Sequence, residues 1–337
     1  MDSKVAVAVI GAGYWGPNLI RNLYETDKCE LKIICDSNNE RINMIRGKYP
    51  DVNMSVSADC VIENKTIDAV CIATPVNTHY ELAKAALKSG KHVFIEKPIT
   101  TTSQEAFKLH ELAQESGKVL MVGHIYKYNS AVNKIRELIR SDALGDINFI
   151  QAVRTSLGPR VRNDVNIVLD YGIHEAYIFP YILDQNPIGI SASGSSYLQQ
   201  KIEDWVSFTQ YFENTTAIAY ATWCDPRKRR EMTIVGSKKM LVYDDLAENK
   251  ITVYNSGYKP YDGIDSYGNV NLQLYSGGSE NITYADTETL GNEVDHFFDC
   301  IYNKKKPKSS GEDGVEVMRI CEAISDSMKM KGKSIEL

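Results

Sequence analysis

The sequence has no apolar run approaching the roughly 18–20 residues that a membrane-spanning helix needs. Its apolar start, Val5–Ile10, passes straight into glycines and is too short for the core of a secretion signal. Close cysteine pairs are missing as well. The seven cysteines (Cys29, Cys35, Cys60, Cys71, Cys224, Cys300 and Cys321) are an odd number and widely scattered, which argues against a disulfide framework and against a zinc knuckle. No metal is therefore expected, and the expected compartment is the reducing cytoplasm. An excess of basic charge is lacking too. With 38 Lys+Arg against 44 Asp+Glu the net charge is −6, so nothing global draws the chain to nucleic acid or a membrane surface. No internal repeat is visible.

What is present is the composition of an ordinary globular protein, 43% hydrophobic and 24% charged over 337 residues, a length that suggests two domains. Up to residue 123 short apolar runs alternate with helical patterns. The runs Val5–Ile10, Leu31–Cys35, Ala69–Ala73, His92–Ile95 and Val119–Val122 read as buried parallel strands. Between them, Tyr80–Lys88 and Ser103–Glu115 read as helices that stop at Gly90 and Gly117. The expected fold class is α/β: residues 1–123 form a Rossmann domain with a parallel sheet. Residues 124–337 form an α+β domain for substrate binding and oligomerisation. There, helices at Ala131–Arg140 and about 167–183 accompany the strand-like runs Asp146–Ser156, Trp205–Phe212, Thr216–Trp223, Arg230–Val235, Lys239–Tyr243 and Lys250–Tyr254. Consecutive strands imply a largely antiparallel open sheet. The Gly-, Ser-, Asn- and Tyr-rich stretch 256–283 reads as loop, and helices at about 289–303 and 312–331 close the chain, with the option of packing back on the first domain.

Gly11-Ala12-Gly13-Tyr14-Trp15-Gly16 follows a strand and opens a helix, the setting in which G-x-G-x-x-G lets backbone approach a pyrophosphate at a helix N-terminus. Asp36 ends the second strand, 20 residues after Gly16, where a carboxylate accepts from a ribose diol and repels a 2′-phosphate. NAD is therefore favoured over NADP. Thr74, Pro75, Asn77 and His79 occupy the loop after the next buried strand, where they could border the nicotinamide, although Thr78 and Asn77 also fit cap and turn roles. Glu96-Lys97-Pro98 follows another strand. An ammonium held there could stabilise a developing alkoxide or share a proton with it, and Pro98 could adopt a cis bond. Asp170 and His174 are four apart, which stacks them on one helical face; such a pair is either a structural ion pair or a carboxylate-assisted base.

These motifs together resemble the Gfo/Idh/MocA family of oxidoreductases: GAGYWG, the A-T-P-x-x-x-H loop at Ala73–His79, EKP, and Asp170 with His174. The resemblance implies a Rossmann domain plus an open-sheet domain, binding NAD(P) and a sugar or cyclitol. It maps the family's catalytic lysine, aspartate and histidine onto Lys97, Asp170 and His174; the choice between His174 and Lys97 as principal base stays open, with His174 favoured as base and Lys97 as alkoxide stabiliser. One departure is Tyr177, where many members carry an acid, so the local proton network differs. Around the cofactor the implied contacts are Gly11, Gly13, Tyr14, Trp15, Gly16, Asp36, Thr74, Pro75, Asn77, His79, Glu96 and Lys97.

For the substrate, Arg154, Arg160, Arg162, Asn163 and Asn166 precede the Asp/His helix, and Arg227 and Arg229 open a later strand. Arginine forks suit a diphosphate, though either cluster could be a solvated basic face. Tyr126 could line the crevice or simply pack, and His124 reads as packing. With GYWGPNLIRN and VGSKKMLVYDD, these segments resemble the nucleotide-sugar branch, which includes UDP-N-acetylglucosamine and UDP-N-acetylglucosaminuronate 3-dehydrogenases. That implies oxidation of a C3 hydroxyl for an aminotransferase in lipid A or O-antigen synthesis. A dTDP-keto-sugar ketoreductase, a cyclitol dehydrogenase and an NAD-binding regulator are the rival readings. The open sheet predicts a homodimer or homotetramer.

Overall fold

The computed structural model describes residues 4–157, 163–264 and 268–337. It divides into two compact units: residues 1–129 with 287–322, and residues 130–286 with 323–337. Residues 124–129 and 287–322 thus count with the first unit by compactness.

In the first unit the strands are β1 Val5–Ile10, β2 Cys29–Cys35, β3 Asn53–Ser55, β4 Ala69–Ile72, β5 His92–Glu96 and β6 Leu120–Gly123. All pair in parallel, in the order β3-β2-β1-β4-β5-β6. That order reverses between β1 and β4, the switch point where ligands bind such sheets. The helices are α1 Gly16–Glu25, α2 Asn39–Arg46, α3 Ala58–Glu63, α4 His79–Lys88 and α5 Ser103–Ser116. Gly117 ends α5 in the left-handed region at φ 63°, as its place after the last apolar turn requires. Burial of β1 and β4 is complete, which is why both read as unbroken apolar runs. Late in the chain, Leu290, Val294, Phe297 and Phe298 join the same core as Val7, Val9 and Phe94. Each buried phenylalanine contributes about 1.5–3 kcal/mol.

The second unit holds α6 Ser130–Arg140, β7 Ile147–Thr155, α7 Ile173–Leu183, β8 Gly189–Ser195, β9 Trp205–Tyr211, β10 Thr216–Thr222, β11 Arg229–Gly236, β12 Met240–Asp244, β13 Ile251–Ile264 and β14 Val270–Asn281. These strands and β15 Ile335–Glu336 form one sheet, β14-β13-β12-β11-β7-β10-β9-β8-β15. Its pairs are antiparallel except β7 with β10. Helices α8 Thr289–Asn303 and α9 Gly311–Lys329 belong to the first unit up to Glu322.

Two differences from the sequence reading stand out. The stretch read as loop is the β13–β14 hairpin. Residues 273–281 are exposed almost without exception, so no alternation of buried and wet positions marks them as strand. Strand β8, GISASGS, escapes notice because its small side chains carry little strand preference.

Candidate active site

The glycine loop is built by close backbone approach. Gly11 has φ +109°, and a Cβ there would meet the Ala73 carbonyl oxygen at 2.4 Å. A Cβ on Gly16 would meet the Gly11 carbonyl oxygen at 2.2 Å. Gly13 differs: only Arg41 Nη1, at 3.6 Å, comes near its missing Cβ, so this peptide offers an open face. No side chain caps α1, which leaves its first amides for an anion. Trp15 Nε1 is buried beside the Glu96 carboxyl, where it favours the ionised form. These features fit a dinucleotide pyrophosphate. Tyr14 stands 89% exposed beside the loop.

Asp36 is buried, and its carboxylate accepts from Ala12 N at 2.7 Å and Asn38 N at 2.8 Å. Arg41 Nη1 lies 3.4 Å from the same carboxylate. Asp36 therefore holds the glycine loop in shape.

After β4, Pro75 and Asn77 belong to the short turn Val76–Thr78 and its entry. Thr74 and Thr78 share a hydroxyl hydrogen bond of 2.7 Å, and Asn77 is exposed. His79 does not present its ring to a ligand. It is buried, with Nδ1 2.8 Å from Pro98 O and Nε2 2.9 Å from Thr74 O. The expectation of a cofactor contact at His79 is corrected to a brace between the Thr74 loop and the Glu96-Lys97-Pro98 turn. In that turn the Lys97–Pro98 peptide is cis, and Lys97 N donates to Glu96 Oε2 at 3.3 Å. Burial pushes the Glu96 carboxyl above its ordinary range, opposed by the Lys97 charge. Glu293 on α8 is fully buried, and neither carboxyl oxygen has a hydrogen-bond partner among the described residues. Burial, reinforced by Glu96, drives it well above the ordinary range. Tyr126 is buried in the turn after β6.

In the second unit, a π-helical turn at Val168–Gly172 feeds α7. Asp170 lies in that turn and His174 in the first turn of α7, so the single regular helix expected to stack them is interrupted by a wider turn. Such turns recur at functional sites. Both residues are half-buried, whereas Ile173, Glu175, Ala176 and Tyr177 are buried. Asp170 Oδ2 accepts from Trp223 Nε1 at 3.1 Å. His174 Nδ1 lies 2.9 Å from the Tyr177 hydroxyl, so the tyrosine at the departing position orients this ring. Asn166 uses its amide on the Leu169 backbone N–H and on Glu203, at 3.2 and 2.9 Å, which starts the turn. Asn163 is exposed.

The arginines divide. Arg154 is buried and forks onto Glu175, Nε to both oxygens at 2.8 and 3.1 Å and Nη2 to one at 2.7 Å. Its expected role as a substrate ligand is corrected, because a buried charge of this kind is held by its partner. Arg229 likewise forks onto Glu231 at 3.1 and 2.9 Å. Arg227 remains, 75% exposed and 3.8 Å from Glu231. Arg160 and Arg162 lie outside the described residues. Glu175 went unnoticed in the sequence, yet an acid inside the apolar helix IHEAYIFPYIL signals a buried cationic partner. Glu293 offered no comparable signal. Among the described residues, no helix is long and apolar enough to cross a membrane, and no group of three or more His, Cys, Asp or Glu could hold a metal.

Residues 5–124 match the model of the oxidoreductase family GFO_IDH_MocA, described as an NAD-binding Rossmann fold, and residues 132–242 match its C-terminal domain. The chain spans about half the length of the first curated relatives it matches, 46% and 54%. It is 26% identical to the UDP-N-acetylglucosamine 3-dehydrogenase of Acidithiobacillus ferrooxidans, over 70% of each chain. With the scyllo-inositol 2-dehydrogenase (NADP(+)) IolW of Bacillus subtilis it is 25% identical over 97% of this chain and 94% of the other. The solved structure of UDP-N-acetylglucosamine 3-dehydrogenase GnnA from A. ferrooxidans superposes with a TM-score of 0.80 at 24% identity, covering 97% of this chain and 98% of that one. The last likeness is one of fold.

Proposed function

Because the chain belongs to the Gfo/Idh/MocA oxidoreductase family, we propose that it is an NAD-dependent dehydrogenase oxidising the C3 hydroxyl of a UDP-N-acetyl-hexosamine. UDP-N-acetylglucosamine is the preferred substrate in this reading, and the product is the 3-keto sugar. The observation that carries the dehydrogenase reading is Lys97. It follows β5 in the unit that also holds the open glycine loop, at the carboxyl end of the sheet, where ligands of doubly wound sheets bind. The likeness to the A. ferrooxidans enzyme over 70% of each chain supports the sugar nucleotide.

In this reading the loop Gly11–Gly16 and Asp36 hold NAD, which when bound supplies the hydride acceptor. His174, oriented by Tyr177, removes the hydroxyl proton with Asp170 beside it in the chain. Lys97 stabilises the developing alkoxide, a task suited to a preorganised charge. Since Arg154 and Arg229 are held by glutamates, contact with the diphosphate falls to Arg227, Arg160 and Arg162. The ketone would then pass to an aminotransferase. A homodimer or homotetramer would form through the outer sheet face, where Phe149, Tyr211, Ile218 and Tyr254 are exposed.

A cyclitol dehydrogenase is the second reading, favoured by a match to the scyllo-inositol enzyme over nearly the whole of both chains. Purified protein titrated with NAD, then mixed with UDP-N-acetylglucosamine, its uronate or scyllo-inositol, separates the two. We expect absorbance of the reduced nicotinamide with the first, strengthened when an aminotransferase removes the ketone. Turnover of scyllo-inositol alone would establish the second reading. Cofactor binding with no turnover on any of them would leave a regulator.

A further inference from the structure

The first unit also carries a buried titratable cluster that the proposed chemistry does not use. His124 follows β6 directly, and Lys97 follows β5. These strands are parallel neighbours with Glu96 opposite Gly123, so the two residues leave the sheet side by side at the ~5 Å spacing of paired strands. On its outer side β6 is bonded to the segment that launches α9. Val122 N donates to Ser309 O at 2.8 Å, and Met121 forms an isolated bridge with Ser310. Asp313, in the first turn of α9, is thereby brought to His124. Its Oδ2 lies 2.7 Å from His124 Nδ1, and Lys127 Nζ bonds Oδ1.

The protonation pattern follows from those partners. A carboxylate only accepts, so Nδ1 carries the proton. Burial keeps the imidazole neutral against the pull of Asp313, and the charges of Lys127 and Lys97 add to the effect. Asp313 stays ionised: burial works against it, but Lys127 and His124 outweigh that and hold it below its ordinary range. A neutral ring protonated at Nδ1 has its lone pair on Nε2.

We propose that His124 is a positioning residue for Lys97: Asp313 fixes the ring so that Nε2 accepts a hydrogen bond from the Lys97 ammonium and holds it at the strand end. The inference rests on, and deepens, the reading of Lys97 as the group that meets the substrate oxygen. Carboxylate–imidazole pairs orient functional groups in this way when the carboxylate sets the tautomer. Lys127 balances the Asp313 charge, so the cluster keeps its protonation without help from solvent.

Two measurements on the full chain test this. In protein labelled with ¹⁵N-histidine, the His124 signals are assigned by their loss in His124→Phe. We expect a neutral ring at pH 7 with its proton on Nδ1. In Asp313→Asn the new amide can donate to Nδ1, and the proton should move to Nε2. The second measurement is the rate at which acetic anhydride labels Lys97, read by mass spectrometry. Losing an acceptor for a charged donor should raise that rate roughly tenfold in His124→Phe and Asp313→Asn, with exposed Lys88 unchanged. His124→Gln, whose amide oxygen can accept, should return it toward the parent value. A parent ring protonated at Nε2, or equal Lys97 labelling in all four proteins, overturns the proposal. If NAD titration shows no binding to the parent, the dehydrogenase reading fails instead, and the tautomer and labelling still decide this one.

Discussion

In the first unit, the parts that suit a cofactor are mostly backbone: an open peptide at Gly13, uncapped amides at the start of α1, and glycines whose neighbours leave no room for a Cβ. In the second unit, the parts that suit a substrate are side chains, and two of the three described arginines that looked available are held by glutamates. Backbone geometry follows from sterics and is readable from spacing. A side-chain charge takes whatever partner the fold brings to it, and that partner is often far away in sequence. The first unit therefore announces its chemistry, whereas the second has to be sorted residue by residue.

The sharpest break of this comparison is Arg154→Ala. Removing one member of a buried ion pair leaves Glu175 charged in the interior, which costs about 3–5 kcal/mol. Urea unfolding should show that loss, and Arg154→Met with Glu175→Leu should recover most of it. Arg227→Ala, on an exposed side chain, should leave stability unchanged and raise the KM for a sugar nucleotide instead. If Arg154→Ala proved as stable as the parent, the division between held and available arginines would collapse.

Next in size, Gly16→Ala sets a Cβ 2.2 Å from a carbonyl oxygen that cannot move without disturbing β1. We expect a loss of about 3 kcal/mol together with loss of NAD binding. Gly13→Ala has room, so its melting temperature should match the parent while NAD affinity falls. The pair thus separates a glycine the fold needs from one the ligand needs. Smaller still is Asp36→Ser. It removes the acceptor for Ala12 N and leaves Arg41 without that carboxylate, so NAD affinity should fall about tenfold and NADP binding rise. Unchanged cofactor preference would show that Asp36 serves the loop alone.

Legibility in the sequence follows the same line. β1, β4 and the helix stops at Gly90 and Gly117 were plain because burial on both sheet faces and left-handed stops leave unambiguous patterns. Residues 273–281 of the β13–β14 hairpin were not, since their exposure on both faces removes the periodicity that marks a strand. At the site, the carboxyl-end position of Lys97 could be inferred from its strand. The brace made by His79 could not, because its second partner is a carbonyl 19 positions away. Asp313 lies 189 positions from His124, beyond any local pattern.

Two buried helix carboxyls give the last and smallest test. Glu175 has its arginine, whereas Glu293 has no hydrogen-bond partner among the described residues and faces Glu96 across the interior. Burial and that neighbour raise the folded-state pKa of Glu293 well above ordinary, while the unfolded chain titrates it near 4.3. Above that pH the folded state retains a proton that the unfolded state releases, so this residue's contribution to stability falls as pH rises toward the folded value. Glu293→Gln keeps the shape and needs no proton. Its melting temperature relative to the parent should be about level near pH 4 and higher at pH 8. A difference that stayed flat across that range would mean Glu293 is ionised in the fold and balanced by a cation. The contrast with Glu175 would then disappear.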